Sequence, residues 1–226
     1  MRVAILFSGG KDSTFALWYA LMQGWDVHTL VTIFPESNES WMFHYPAIKW
    51  TKLQAQVIGI PHTTISTIGE KERELEDLNA GLGKLQKSSG IDAIVSGAVA
   101  SEYQKTRIDN ICEALGLKSF APLWHKNQEQ LVREQIESGF EYIMTACSAM
   151  GLDASWLGKK IGESELAELM NLNRRFGLNV AFEGGEAETF VTGAPCFRRR
   201  LSIVRSTPHW RGESGYLELE EVRVDT

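Results

Sequence analysis

The stretch from residue 3 to residue 22 constrains this chain most. It places an apolar run, Val3-Ala4-Ile5-Leu6-Phe7, before Ser8-Gly9-Gly10-Lys11-Asp12-Ser13 and a second apolar run from Phe15 to Met22. Five apolar residues without alternation read as a strand buried on both faces, as in parallel sheets. The glycines let the main chain approach a ligand and take φ > 0 without steric cost. Asp12 or Ser13 can cap the helix that follows. The helix N-terminus offers N–H groups and partial positive charge to an anion. Lys11 adds a point charge, and Ser8 and Ser13 add hydroxyl donors. Such a strand, loop and helix can deliver backbone to a phosphate; the competing reading is a tight turn with polar capping. The loop is not a Walker A motif, which needs four residues between its first Gly and its Gly-Lys pair.

The six consecutive positions Ser8 to Ser13 resemble the PP-loop of the N-type ATP pyrophosphatases. That resemblance implies cleavage of ATP between its α- and β-phosphates and adenylation of an oxygen nucleophile.

The rest of the chain extends the pattern. Val27 to Phe34 reads as a second strand, which implies a right-handed crossover and a parallel sheet. A polar loop follows, then Trp41-Met42-Phe43-His44-Tyr45. This aromatic piece suits either a lid over the sheet edge or a ligand wall with His44 as its polar tip. A helix is expected from Pro46 to about Val57, a third strand over His62 to Ser66, and a helix from Glu70 to Gln86 with Leu75, Leu78, Leu82 and Leu85 on one side. Ile91 to Val95 is a fourth strand. Ser101 and Gln104 have capping-box spacing for a helix whose core stripe is Ile108, Ile111, Cys112 and Leu115. Phe120 to Trp124 reads as extended. Beyond it the rhythm changes: helices over 128–137, 154–160 and 163–176, a strand over 142–147, and strands over 198–204 and 216–224 joined by a Gly-containing turn. A break at Glu220-Glu221 is consistent with a bulge. The fold class is therefore α/β, a doubly wound parallel sheet with a smaller α+β C-terminal domain, divided as residues 1–124 and 125–226.

Ligands in open parallel sheets bind at the carboxyl ends of the strands. The polar loops after the four strands all fall there. Gly97, lacking a Cβ, would let backbone approach a nucleotide, or is simply a turn. Tyr103, Gln104 and Arg107 can share a helix face opposite the apolar stripe, where Arg107 could grip a carboxylate or phosphate as a fork. Glu183-Gly184-Gly185-Glu186-Ala187-Glu188-Thr189 crowds three carboxylates around two glycines. Crowding carboxylates costs energy unless a cation, an arginine or a shared proton compensates. The segment suits Mg²⁺ binding, ammonium recruitment or general-base work on an attacking amine, or else is an acidic turn in water. Arg198-Arg199-Arg200 could grip an acidic partner or RNA, or balance the acidic segment.

Composition bounds the partners. The chain has 226 residues and a net charge of −6, which argues against broad binding to nucleic acid or anionic membrane. No run is long and apolar enough to span a bilayer, and no signal-peptide pattern is present. The three cysteines, Cys112, Cys147 and Cys196, are widely separated, which argues against a disulfide framework or zinc site and fits a cytoplasmic protein.

Taken together, Ser8–Ser13, Ser40-Trp41-Met42-Phe43-His44, Gly97-Ala98 with Tyr103-Gln104-Lys105-Thr106-Arg107, Leu115-Gly116-Leu117, Pro122-Leu123-Trp124 and Glu183 to Thr189 resemble the diphthine–ammonia ligase family over nearly the whole chain. Lys105, where an Arg is frequent, and Ala187 in the acidic motif are mild departures. The resemblance implies an adenine nucleotide alpha hydrolase-like fold and the last step of diphthamide synthesis. A diphthine carboxylate on translation elongation factor 2 is activated by ATP, and ammonium then gives the amide, AMP and pyrophosphate. It implies that Ser8, Gly9, Gly10, Lys11, Asp12, Ser13, Gly97 and Ala98 bind the nucleotide and that Asp12 helps hold Mg²⁺. Lys11, Asp12, Glu186 and Glu188 would be catalytic, with His44, Tyr103, Gln104, Arg107, Glu183 and Thr189 toward the substrates. No glutaminase segment with its own nucleophilic Cys is evident, so free ammonium is the nitrogen source implied. The alternatives are another PP-loop ligase acting on tRNA or a small carboxylate, and a non-catalytic ATP-binding regulatory module.

Overall fold

Burial on both faces of the first strand sets the architecture. Val3, Ala4 and Ile5 are fully buried in β1 (Arg2–Leu6) of the computed structural model, which describes residues 1–35, 47–67 and 71–225, without the side chains of residues 71–73. The aromatic piece with His44 and the expected helix start at Glu70 lie outside the described residues. From β1 the chain enters α1 (Lys11–Met22), β2 (Asp26–Pro35), a 3-10 turn at Ile48–Trp50, α2 (Thr51–Ile58), β3 (His62–Thr67) and α3 (Lys71–Ser89). It continues through β4 (Ala93–Val95), α4 (Glu102–Leu115) and β5 (Lys118–Phe120). Then come α5 (Gln128–Glu137), β6 (Glu141–Cys147), a 3-10 turn at Ala154–Trp156, α6 (Glu163–Phe176), β7 (Ala187–Gly193), β8 (Leu201–Arg211) and β9 (Ser214–Val224).

These elements form two compact units. The first takes the chain through Ser8, from Asp12 through β2, and from Gly59 to Trp124. The second takes Gly9–Lys11, the segment carrying α2, and the chain from His125 onward. The division thus runs through the glycine loop, and α2 belongs with the second unit.

The first unit is a five-stranded sheet in the order β3-β2-β1-β4-β5, parallel throughout. The chain steps outward from β1 through β2 to β3, then returns to β4 on the other side of β1. That reversal makes the gap between β1 and β4 the topological switch point, where such sheets bind ligands. Ala4, Val31, Ile65 and Ile94 carry one face of the sheet, covered by Leu78 and Leu82 of α3 and Ile111 and Cys112 of α4. Cys112 is thus a small hydrophobe in the core. Trp25 and Phe120 pack ring against ring, with centroids 4.9 Å apart.

The second unit is built on an antiparallel sheet, β7-β6-β9-β8, with α5 and α6. Ala47 and Val57 join Ile143, Phe190, Leu201, Leu217, Leu219 and Val222 in its core, and the Trp50 indole donates to the Leu219 carbonyl at 3.0 Å. In the β8–β9 hairpin, Arg205 pairs with Glu221 and Ser206 with Leu219, so Glu220 is the extra residue of a bulge.

Several expectations need correction. The helix expected over 154–160 is only a 3-10 turn at Ala154–Trp156, because Leu157 is extended (ψ 122°) and ends it. The strand expected from Arg198 starts at Leu201; before it the Arg198 N–H donates to the Val57 carbonyl instead of to a ladder. The extended piece expected at Phe120–Trp124 is displaced to β5, with a turn behind it. Strand β7, into which the acidic segment runs, was not expected.

The Ser101 hydroxyl does cap α4, accepting from the Gln104 N–H at 3.3 Å. Ser101→Ala should lower the unfolding free energy by about 1 kcal/mol, read as a lower urea midpoint at unchanged slope.

Candidate functional site

In the first unit the loop after β1 is tied across its own bend. The Ser8 N–H donates to the Ser13 hydroxyl at 3.3 Å, and the two hydroxyls lie 3.1 Å apart. Helix α1 starts at Lys11, so Asp12 and Ser13 stand in its first turn rather than ahead of it as caps. Gly97, after β4, lies against the same turn. A Cβ there would stand 2.7 Å from both the Asp12 carbonyl carbon and the Ser13 nitrogen, closer than side chains tolerate. Only a glycine lets the two strand ends flanking the switch point approach so closely. Ala98 is buried beside it.

Tyr103 and Arg107 are brought together on α4. The Arg107 guanidinium lies 3.2 Å from the centre of the Tyr103 ring and donates to the Tyr103 carbonyl at 3.3 Å. The buried Nε of the guanidinium has no hydrogen-bond partner. Gln104 is exposed. Lys105 is structural: it pairs with Asp109, whose other oxygen accepts from Ser119 at 2.7 Å.

In the second unit, Gly9–Lys11 lies along β7. The Gly9 carbonyl accepts from the Val191 N–H at 3.1 Å and from the Gln54 amide at 2.9 Å. The Lys11 N–H donates to the Thr189 hydroxyl at 3.1 Å. Lys11 is 2 % exposed; its ammonium donates to the Ala181 carbonyl at 2.7 Å and lies 5.4 Å from the centre of the Phe182 ring. Burying an ammonium is costly unless it is bonded; here a carbonyl and a ring face share the charge. Phe182 takes φ 66°, a conformation uncommon for a bulky residue.

The acidic segment is ordered by its own glutamate. The Asn179 N–H donates to one Glu186 oxygen at 3.1 Å and the Gly184 N–H to the other at 2.8 Å. Ser148 reaches in from the end of β6, its N–H donating to the Glu186 carbonyl and its hydroxyl to the Gly185 carbonyl. Glu183, Glu186 and Glu188 are all partly exposed, and the Thr189 hydroxyl accepts from the Lys11 N–H.

The basic run has other partners than the acidic segment. Arg199 donates to the Asp225 carbonyl, and Arg200 lies 3.2 Å from Glu141. The three arginines line an open cavity of about 520 Å³ with Ser138, Phe197 and Asp225.

Sequence reasoning missed Gln54 and the Ala181–Phe182 seat of Lys11. Gln54 carried a signal: it stands at i+3 from Thr51 and i−4 from Ile58, on the buried side of α2, where an apolar residue is the norm.

Residues 1–119 match the diphthamide synthase N-terminal domain, and residues 127–224 match the diphthamide synthase C-terminal domain. The chain belongs to the diphthamide synthase family. It is 33% identical to a rat protein named diphthine–ammonia ligase, over 90% of this chain and 83% of the relative. The human protein of that name is 32% identical over the same shares. The fission yeast protein of that name is 33% identical over 97% of this chain but only 39% of its own length. The family's two domain matches meet between residues 119 and 127, near the point where the chain passes into the second unit for good.

None of the cysteines suits thiolate chemistry. Burial pushes the Cys112 thiol up to about 11, burial and the Asp153 charge push Cys147 to about 12, and burial pushes Cys196 to about 12. A thiol with its pKa so raised stays protonated below pH 9 and ionises only above it, so alkylation should be slow at pH 8. We expect iodoacetamide at pH 8 to label none of the three in the folded protein and all three after unfolding, read by mass spectrometry.

Proposed function

We propose that the chain amidates diphthine on translation elongation factor 2 with ammonium, at the expense of ATP, giving diphthamide, AMP and pyrophosphate. Family membership supplies the reaction. The observation that ties it to these residues is the Lys11 N–H bonded to Thr189, which sets the end of the glycine loop on the strand that continues Glu183–Glu188.

The chemistry has two steps. A diphthine carboxylate oxygen attacks the α-phosphorus and pyrophosphate leaves, forming an acyl-adenylate. Ammonia then attacks the acyl carbon and AMP leaves with the oxygen. The nucleophile arrives as ammonium and must lose a proton to gain its lone pair.

In the first unit we assign Ser8, Asp12, Ser13, Gly97 and Ala98 to the nucleotide, and Tyr103, Gln104 and Arg107 to the substrate side. The glycine seat of Gly97 supports the first group and the aromatic stack of Arg107 the second. In the second unit we assign Gly9, Gly10 and Lys11 to the phosphates. An ammonium that donates to a carbonyl and faces a ring can exchange those partners for phosphate oxygens. Glu183, Glu186, Glu188 and Thr189 are assigned to diphthine and ammonium. Each Glu186 oxygen accepts one backbone N–H and keeps capacity for another donor, as an ammonium site requires. Glu188 is the proposed proton acceptor, and His44 remains assigned to the substrate.

Among the described residues no three His, Cys, Asp or Glu side chains gather where they could hold a metal ion. That donor set fits Mg²⁺ only as an ion carried largely by phosphates and water, with Asp12 as its protein contact. So bound, it would neutralise charge on the departing pyrophosphate. Among the described residues no helix is long and apolar enough to cross a membrane. The proposed setting is cytoplasmic, with residues 1–124 as nucleotide domain and 125–226 as substrate domain.

With ATP, ammonium and diphthine-bearing elongation factor, AMP and pyrophosphate should appear in equal amounts with diphthamide. ADP as product would sink the assignment. AMP formation that ignored the elongation factor and answered to tRNA would favour a tRNA-modifying ligase, and ATP binding without turnover a regulatory module.

Lys11→Ala and Asp12→Ala should each lower kcat by about 10²–10³-fold in protein that stays folded. Glu186→Gln should slow amide formation while ATP affinity holds. Equal loss of both would instead mean that Glu186 serves only to fold its own segment.

A further inference from the structure

Gln54 is fully buried on α2, yet nothing in the amidation needs an amide there. Its Nε2 donates to the Gly9 carbonyl and to the Val191 carbonyl, each at 2.9 Å. Both partners are acceptors, so the nitrogen must face them, and this fixes which way the side-chain amide points. Its Oε1 has no hydrogen-bond partner. An unsatisfied buried acceptor is costly. An apolar side chain of the same shape would avoid that cost but would strip one donor from each carbonyl.

The geometry of Gly9 answers to this amide. A Cβ on Gly9 would fall 2.1 Å from the Gln54 Oε1, and its backbone takes φ 79°. Position 9 is therefore restricted to glycine by space as well as by conformation. With the Val191 N–H at 3.1 Å and the Gln54 amide at 2.9 Å, the Gly9 carbonyl uses both lone pairs. Two residues on, the Lys11 N–H is held by the Thr189 hydroxyl at 3.1 Å. The segment is fastened to β7 at both ends.

We infer that Gln54 is a positioning residue, which with Thr189 sets Gly9–Lys11 in the geometry that receives the phosphates of ATP. This rests on the proposal that Gly9–Lys11 binds those phosphates. Gln54 touches no reacting atom and acts through the Gly9 carbonyl. Gln54→Leu keeps the shape and removes both donated bonds. Gln54→Glu sets acceptor oxygens against two carbonyls and should be worse.

The test uses the full chain and ATP, reading ATP affinity by calorimetry, KM and kcat separately, and the melting midpoint. We expect Gln54→Leu to weaken ATP binding and raise KM for ATP by about ten-fold, lower kcat, and leave KM for ammonium unchanged. Gln54→Leu with wild-type ATP affinity, KM and kcat would overturn the inference, even if its melting midpoint fell. Should Gln54→Leu not fold, Thr189→Val and Thr189→Ser carry the test. The valine should raise KM for ATP about ten-fold and the serine should recover most of that loss. Equal behaviour of the two overturns the inference. Wild-type protein that binds ATP without amidating sinks the proposed function alone and leaves the ATP-affinity comparison decisive for Gln54. Wild-type protein that does not bind ATP sinks both.

Discussion

The carbonyl of Gly9 is the atom on which the candidate site in the second unit depends. It is a backbone acceptor in a short segment outside any sheet, and a buried carbonyl left unpaired would cost of order a kcal/mol or more. Strand β7 supplies one donor and α2 the other. The sequence requirement is correspondingly sharp. A glycine must stand at 9, a side-chain amide at 54, and a strand must follow the acidic segment so that Val191 and Thr189 come into register with Gly9 and Lys11. None of these residues is charged, yet together they decide where a charged one, Lys11, begins its side chain.

Lys11 shows what this fastening makes possible. Its ammonium is buried, donating to the Ala181 carbonyl and facing the Phe182 ring. Phe182 is held at φ 66°, which costs of order 1–3 kcal/mol for a non-glycine residue. Its neighbours over-determine that conformation. The Asn179 side chain accepts from the Ala181 N–H at 3.0 Å, and the Phe182 N–H itself donates to the Asn179 carbonyl at 2.9 Å. The turn that carries this strain aims one carbonyl and one ring face at the same ammonium. Strain and acidic segment thus sit within a dozen residues of chain, and the strained turn meets the buried charge of Lys11, a concentration expected of a functional site more than of a stability element.

The parts of this molecule legible in its sequence are those governed by local rules. Unbroken burial made β1 readable, the Ser101–Gln104 spacing gave the start of α4, and a misplaced pair of acids gave the Glu220 bulge. Gly97 was readable as a place for a nucleotide's approach or for a simple turn, but its close packing on the Asp12–Ser13 backbone was not. What could not be read depends on contacts far apart in the chain. Strand β7 is short and carries Glu188 and two threonines, so its alternation is weak, and only pairing with β6 reveals it. The assignment of α2 to the second unit rests on Val57 and Trp50 meeting residues near 198 and 219, which no local window contains. Gln54 was visible as a polar residue on an apolar stripe, but its meaning required knowing where Gly9 and Val191 lie.

The three glutamates of the acidic segment share a sequence neighbourhood but not an environment. Glu186 is committed on both oxygens to backbone N–H groups of Asn179 and Gly184, and its own carbonyl accepts from Ser148. It therefore sits in one orientation, as a fixed point of negative charge inside a loop of its own making. A fixed carboxylate suits the binding of a small cation such as ammonium, because no side-chain ordering remains to oppose the encounter. Proton transfer asks for something different, a carboxylate able to reach the nitrogen as it moves toward the acyl carbon. Glu188 lies in β7, one residue before the Thr189 that meets Lys11. The two carboxylates thus differ in backbone setting: Glu186 closes a turn, and Glu188 rides on a strand.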